Sequence, residues 1–151
     1  MTETIILPVP EEKSASASRA ETPASPPSRI LVVDDDVGMR SLNTKVLKRS
    51  GYHVDTAKDG AAAWAALQEK KFNLLITDNL MAGLTGVELV KKVRSAQMTL
   101  PVIMATGKLP MEALGKTPSL KLEAMLPKPF SFDELLETVR VVLSAADTVS
   151  G

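Results

Sequence analysis

Short apolar runs alternate along this chain with stretches of helical period, and that alternation restricts its fold more than any other feature. Residues 30–33, "ILVV", read as a buried strand. Residues 37–50 read as a helix with Leu42, Val46 and Leu47 on one face, closed by Gly51. In residues 52–56 the apolar Tyr52 and Val54 interleave with His53 and Asp55, a pattern that suits an edge strand. Asp59 is placed to cap a helix running to about Lys70, with Trp64 and Leu67 inward. Residues 74–77 form the next apolar run. A capping box of Thr85 and Glu88 then lies inside a hydrophobic staple of Leu84 and Leu89, which marks a helix start. "FSFDEL", residues 130–135, repeats that arrangement and announces a last helix with Leu136, Val139 and Leu143 inward. Between these two starts lie apolar runs at residues 102–105 and 124–126. Five strands alternating with helices imply an α/β fold, a doubly wound parallel sheet with helices on both faces. Residues 107–123 contain Pro110, Gly115 and Pro118, so a helix there should be short or irregular.

Composition sets the boundaries of that unit. Residues 8–28, "PVPEEKSASASRAETPASPPS", are too poor in apolar groups to offset chain entropy. Residues 1–28 are therefore expected to be a disordered tail, residues 29–146 the folded domain and residues 147–151 a short C-terminal tail. Eighteen basic residues balance eighteen acidic ones without a block of either sign, which gives no footprint for nucleic acid or for an anionic membrane. The chain has no cysteine and a single histidine, His53, so disulfides, thiolate sites and histidine metal clusters are excluded. The N-terminus lacks the basic start and apolar length of a signal peptide, and no stretch is long enough to span a bilayer; the expected location is cytoplasmic.

Polar residues stand where the apolar runs end. Asp34, Asp35 and Asp36 follow the first, Asp78 the third, Thr106 the fourth, and Lys128 comes just after the fifth. In an open parallel sheet those ends are where ligands bind. Two carboxylates about 4 Å apart repel by roughly 4 kcal/mol at an effective dielectric near 20, so an apposed set must hold a proton or recruit a cation. Mg²⁺ is the simpler solution, since it takes one or two carboxylates together with waters and a phosphoryl oxygen. The hydroxyl of Thr106 and the ammonium of Lys128 would stabilise the remaining phosphoryl oxygens. Each residue alone has a plainer reading: a solvated acidic loop, a strand-end hydroxyl, a turn at Lys128-Pro129. Trp64 and the methionines read as packing, and His53 as an exposed edge residue.

"ILVVDDD", "LLITDNLMAGLTGVEL", "PVIMATG" and "LPKPFSFDELL" together resemble the receiver domain of two-component response regulators, of the single-domain chemotaxis type. The resemblance covers about residues 29–145, with 44 positions from Asp34 to Asp78, 28 on to Thr106 and 22 on to Lys128. It implies the strand order 2-1-3-4-5 of a flavodoxin-like receiver. It also implies that Asp78 takes a phosphoryl group from a histidine kinase or a histidine phosphotransfer protein, and that the protein signals to a downstream protein target not identified by the sequence. Asp35, Asp78 and the Leu80 main-chain carbonyl would be Mg²⁺ ligands, with Asp34 joining through water. Thr106 and Lys128 would bind the phosphoryl group, a cis peptide would join Lys128 to Pro129, and the side chains of Leu80 and Lys108 would modulate dephosphorylation. Asp36 has no family role and is placed to cap the first helix.

Three positions depart from the family pattern. Ala82 and Thr85 stand where a proline and an aspartate are usual, leaving Gly83 and Gly86 to turn the loop, and Met125 replaces the aromatic switch residue. The response to phosphorylation is therefore expected to differ from the usual coupling of threonine and aromatic ring. Two other readings stay open. Asp34-x-Asp36-Val37 fits the nucleophile motif of a haloacid-dehalogenase-like phosphohydrolase, and a receiver-like interaction module would never take phosphate.

Overall fold

All five apolar runs are strands, and each is followed by a helix. The computed structural model describes residues 27–108, 111–116 and 120–150. In chain order these form β1 (Arg29–Val33), α1 (Val37–Arg49), β2 (His53–Ala57), α2 (Gly60–Glu69), β3 (Leu74–Thr77), α3 (Gly86–Ser95), β4 (Val102–Thr106), α4 (Met111–Lys116), β5 (Ala124–Pro127) and α5 (Phe132–Ser150). The strands pair in parallel in the order β2-β1-β3-β4-β5. Most of the expected tail over residues 1–28 lies outside the described residues. The backbone of α5 runs on through residues 147–150, which the sequence assigned to a second tail.

β1, β3 and β4 are buried almost throughout because helices cover both sides of the sheet. On one side Leu31, Val33, Leu75, Val102 and Met104 pack against α2 and α3 through Ala63, Leu67, Leu89, Val90 and Val93. On the other, Ile30, Val32, Leu74, Ile76 and Ile103 meet α1 and α5 through Leu47, Leu135, Val139 and Val142. Burying each large aliphatic side chain contributes about 1.5–3 kcal/mol. β2 is an edge strand with His53 exposed and Val54 buried, as its interleaved pattern requires.

The caps that mark the helix starts are local hydrogen bonds. Asp36 accepts from the Met39 amide at 3.1 Å and Asp59 from the Ala62 amide at 2.8 Å. Thr85 and Glu88 exchange amide bonds at 3.1 and 2.8 Å, as Ser131 and Glu134 do in front of α5. One inner face differs from its sequence reading: Leu42 is 47% exposed, and Asn43 is buried beside Leu47 instead. The sheet takes one narrow stripe of α1, and Asn43 with Leu47, four positions apart, defines it. No helix among the described residues is long and apolar enough to cross a membrane.

Candidate functional site

β1 and β3 are adjacent in the sheet and their register sets Val33 beside Thr77, so the residues that follow them, Asp34 and Asp78, leave the sheet side by side. Asp35 follows Asp34, and one carboxylate oxygen from each of the three lies within 4.8 Å of the others. Asp34 is 4% exposed and Asp78 9%, while Asp35 faces solvent. β5 delivers the counter-charge. The Lys128 amide donates to the Thr106 carbonyl at 2.9 Å, and its ammonium sits 2.9 Å from Asp34 Oδ2 and 3.0 Å from Asp78 Oδ2. The Lys128–Pro129 peptide is cis.

Burial works against the charge of Lys128, but hydrogen bonds and attraction to Asp34 and Asp78 outweigh it and raise its pKa above the ordinary lysine value. A single ammonium between two acids neutralises half of their charge and leaves Asp35 unpaired. The surplus is negative, held on hard oxygen donors with one open side, which is the donor chemistry of Mg²⁺. The residues present fit that ion.

The carboxylates are held by backbone groups. Asp34 Oδ1 accepts from the Asp36 amide at 2.9 Å, and the Asp34 carbonyl accepts from the Arg40 guanidinium at 2.7 Å. Asp78 Oδ1 accepts from the Asn79 amide at 2.6 Å and from the Leu80 amide at 3.4 Å. Thr106 is buried at the end of β4, its hydroxyl 3.5 Å from the main-chain nitrogen and oxygen of Lys108. The Leu80 and Lys108 side chains are exposed at the rim. Met125 is 41% exposed on β5, in register with Met104 and outside the cluster of acids. Asp36 is taken by the α1 cap, which draws its carboxylate to Met39 and away from the pairing that a DxD nucleophile motif requires.

Of two residues that shape this end of the sheet, sequence reasoning missed Asn79 and gave Gly86 a different part. Asn79 is buried, and its side chain accepts from the Val87 amide at 2.9 Å while its carbonyl accepts from the Gly86 amide at 2.9 Å. Gly86 does not turn the loop as the sequence suggested. It is there for close approach: a Cβ on it would lie 2.2 Å from the Asp78 carbonyl oxygen. Gly83, with φ +76°, makes the left-handed turn alone. The glycine behind a capping threonine was visible, but its reason is the neighbouring strand end, which the local sequence does not contain.

Comparison with known proteins points one way. The family described as the response regulator receiver domain matches residues 30–140. The response regulator receiver protein CpdR of Brucella abortus is 33% identical over 118 residues, 78% of this chain and 98% of CpdR. The chain spans about half the length of other curated relatives, transcriptional regulators among them. Among solved structures, the chemotaxis response regulator CheY4 of Vibrio cholerae is 34% identical with a TM-score of 0.70, over 77% of this chain and 98% of CheY4. The response regulator TrrA of Thermotoga maritima, solved with Mg²⁺ and BeF, is 30% identical with a TM-score of 0.69, over 76% of this chain and 98% of TrrA.

Proposed function

The chain belongs to the response regulator receiver family, a family of signalling proteins, and we propose that it works as a receiver, accepting a phosphoryl group on Asp78 and passing the signal on through protein contacts. The observation that carries this is the geometry of Asp78: its Oδ1 is held by backbone amides and its Oδ2 by Lys128, at the open mouth of an acidic set. The donor is a histidine kinase or a histidine phosphotransfer protein, and the target is a protein. In the transfer a carboxylate oxygen of Asp78 forms a bond to phosphorus as the bond between phosphorus and the donor nitrogen breaks.

Asp35, Asp78 and the Leu80 carbonyl would hold Mg²⁺, with Asp34 contributing through water. The ion, when bound, neutralises charge on the transferring group. Lys128 is then drawn to a phosphoryl oxygen, and the Thr106 hydroxyl supplies a further donor once it turns from Lys108. Leu80 and Lys108 flank the route by which water reaches the acyl phosphate, and so set its lifetime. Met125, flexible and unbranched, adapts to gaps instead of choosing between two positions as a ring does, so the response spreads residue by residue.

Incubation with acetyl phosphate tests the reading. One Mg²⁺-dependent, acid-stable and base-labile addition should be seen by mass, absent in Asp78→Asn. Label on Asp34 would favour hydrolase chemistry, and no label under any Mg²⁺ concentration would leave an interaction module that takes no phosphate.

A further inference from the structure

A cleft of about 710 Å³ opens at the amino ends of the strands, the end of the sheet opposite the carboxylates. Leu67, Phe72, Met98 and Leu100 contribute its apolar wall, with Val142 and Leu143 of α5 across from them. Phe72 and Met98 are only partly buried, so the wall offers apolar surface to an occupant. Its volume falls within the roughly 300–1,000 Å³ typical of ligand sites. Lys70 and Lys71 stand on the rim. Asp55 pairs with both Lys70, at 3.0 Å, and Arg29, at 3.2 Å, so this side of the cleft carries more positive charge than negative. Glu123, an acid on the lining, is engaged by the Val102 amide at 2.7 Å and the Arg94 guanidinium at 3.6 Å.

We infer that this cleft is the docking site of the chain's own amino-terminal segment, residues 5–12, "IILPVPEE". Continuity comes first: Ser28 lines the cleft and β1 starts at Arg29, so the preceding chain is attached at the cleft's own edge. Sixteen positions separate Glu12 from Ser28. A coil of that length spans about 20–24 Å, enough to lead back across the cleft and to keep the segment at an effective concentration on the order of millimolar.

Complementarity comes second. Ile5, Ile6, Leu7 and Val9 are apolar like the wall, and Glu11 with Glu12 carry the charge opposite to that of Lys70 and Lys71. Proline at positions 8 and 10 restricts the dihedral freedom of an unbound chain, which would lower the entropy lost on binding in a groove. The residues between, rich in Ser, Ala and Pro, act as the tether. Because the cleft and the acidic site lie at opposite ends of the sheet, docking leaves phosphoryl chemistry open.

The absence of cysteine from the chain makes the test clean. A nitroxide on Ile6→Cys in the otherwise intact ¹⁵N-labelled protein should strip most of the intensity from the amides of Leu67, Phe72, Met98 and Val142 and spare those of Asp34 and Thr106. Adding Glu11→Lys and Glu12→Lys should return much of that intensity. Unchanged cleft amides, or loss spread evenly over the surface, overturns the proposal. So does loss that appears equally when spin-labelled ¹⁴N chains are mixed with unlabelled ¹⁵N chains, since the occupant would then be a second copy.

Discussion

The two ends of this sheet treat charge in opposite ways. At the amino ends Arg94 closes an almost complete set of bonds: its guanidinium donates to the carbonyls of Met98, Leu100, Leu120 and Lys121 at 2.8–3.1 Å and pairs with Glu123. That one side chain ties the end of α3 to the entry of β4 and to the turn before β5. At the carboxyl ends three carboxylates cluster, and one ammonium serves two of them, Asp34 and Asp78. Arg94 has its charge spent on the protein's own backbone, while the acidic set keeps a negative surplus. Charge serves stability where it is matched and function where it is left over.

The sharpest way to break that contrast is Arg94→Ala. It strands four carbonyls, and leaves Glu123 with only the Val102 amide, at a site where the guanidinium is only 16% exposed. Leaving buried acceptors without donors should cost on the order of 3 kcal/mol, read as a fall in urea midpoint. Mg²⁺-induced amide shifts at Asp35 and Asp78 should survive at temperatures where the variant is folded. A loss below about 0.5 kcal/mol would mean that water replaces the guanidinium and that this end is not matched in the sense argued here.

Lys128→Met attacks the other end. It removes the lone counter-charge from Asp34 and Asp78 and should destabilise the metal-free protein by about 2 kcal/mol, less than for a fully buried pair because the site is open on one side. Millimolar Mg²⁺ should restore part of that stability, since a cation can replace a cation. The same Mg²⁺ should stabilise Arg94→Ala no more than it stabilises the unsubstituted protein, since the acidic site is unchanged. If Mg²⁺ rescues neither variant, the surplus charge is not a metal site.

These contrasts also show which parts of the molecule could be read from the chain. The strands, helix starts and capping boxes depend on neighbours within four positions, and the alternation of short apolar runs with helical periods carried the α/β architecture. The acids at the strand ends were legible because a buried run points each of them at the same edge. What escaped reading depends on distant partners. Arg94 finds Leu120 and Lys121 at 26 and 27 positions away. Gly86 answers to the backbone of Asp78, and the burial of Asn43 over Leu42 answers to which stripe of α1 the sheet accepts.

A smaller effect follows from pH. The folded-state pKa of Lys128 is raised, so the bonds to Asp34 and Asp78 add stability that is fully present below the unfolded lysine value, about 10.4, and is lost as pH rises through the folded value. Urea midpoints should fall as pH rises above the ordinary lysine value, and the fall attributable to this group should vanish in Lys128→Met. An equal fall in both proteins would assign the alkaline loss to other groups.

The smallest expected effect is also the one that separates the two ends most cleanly. Asp35 is exposed and takes no part in the bonds to Lys128, yet its carboxylate lies within 4.8 Å of those of Asp34 and Asp78. Repulsion between unit charges at that distance is about 1 kcal/mol in water, and salt reduces it further. Asp35→Asn should therefore stabilise the metal-free protein by about 0.5–1 kcal/mol at low ionic strength, with the gain shrinking as salt is added. In the same variant the Mg²⁺ response at Asp78 should weaken strongly. Neutralising Arg94 at the amino ends has no such reward, because its guanidinium has four carbonyls and Glu123 to abandon. Loss of stability in Asp35→Asn without Mg²⁺ would show that its carboxylate holds the loop together, and would place Asp35 with the structural groups instead of the surplus.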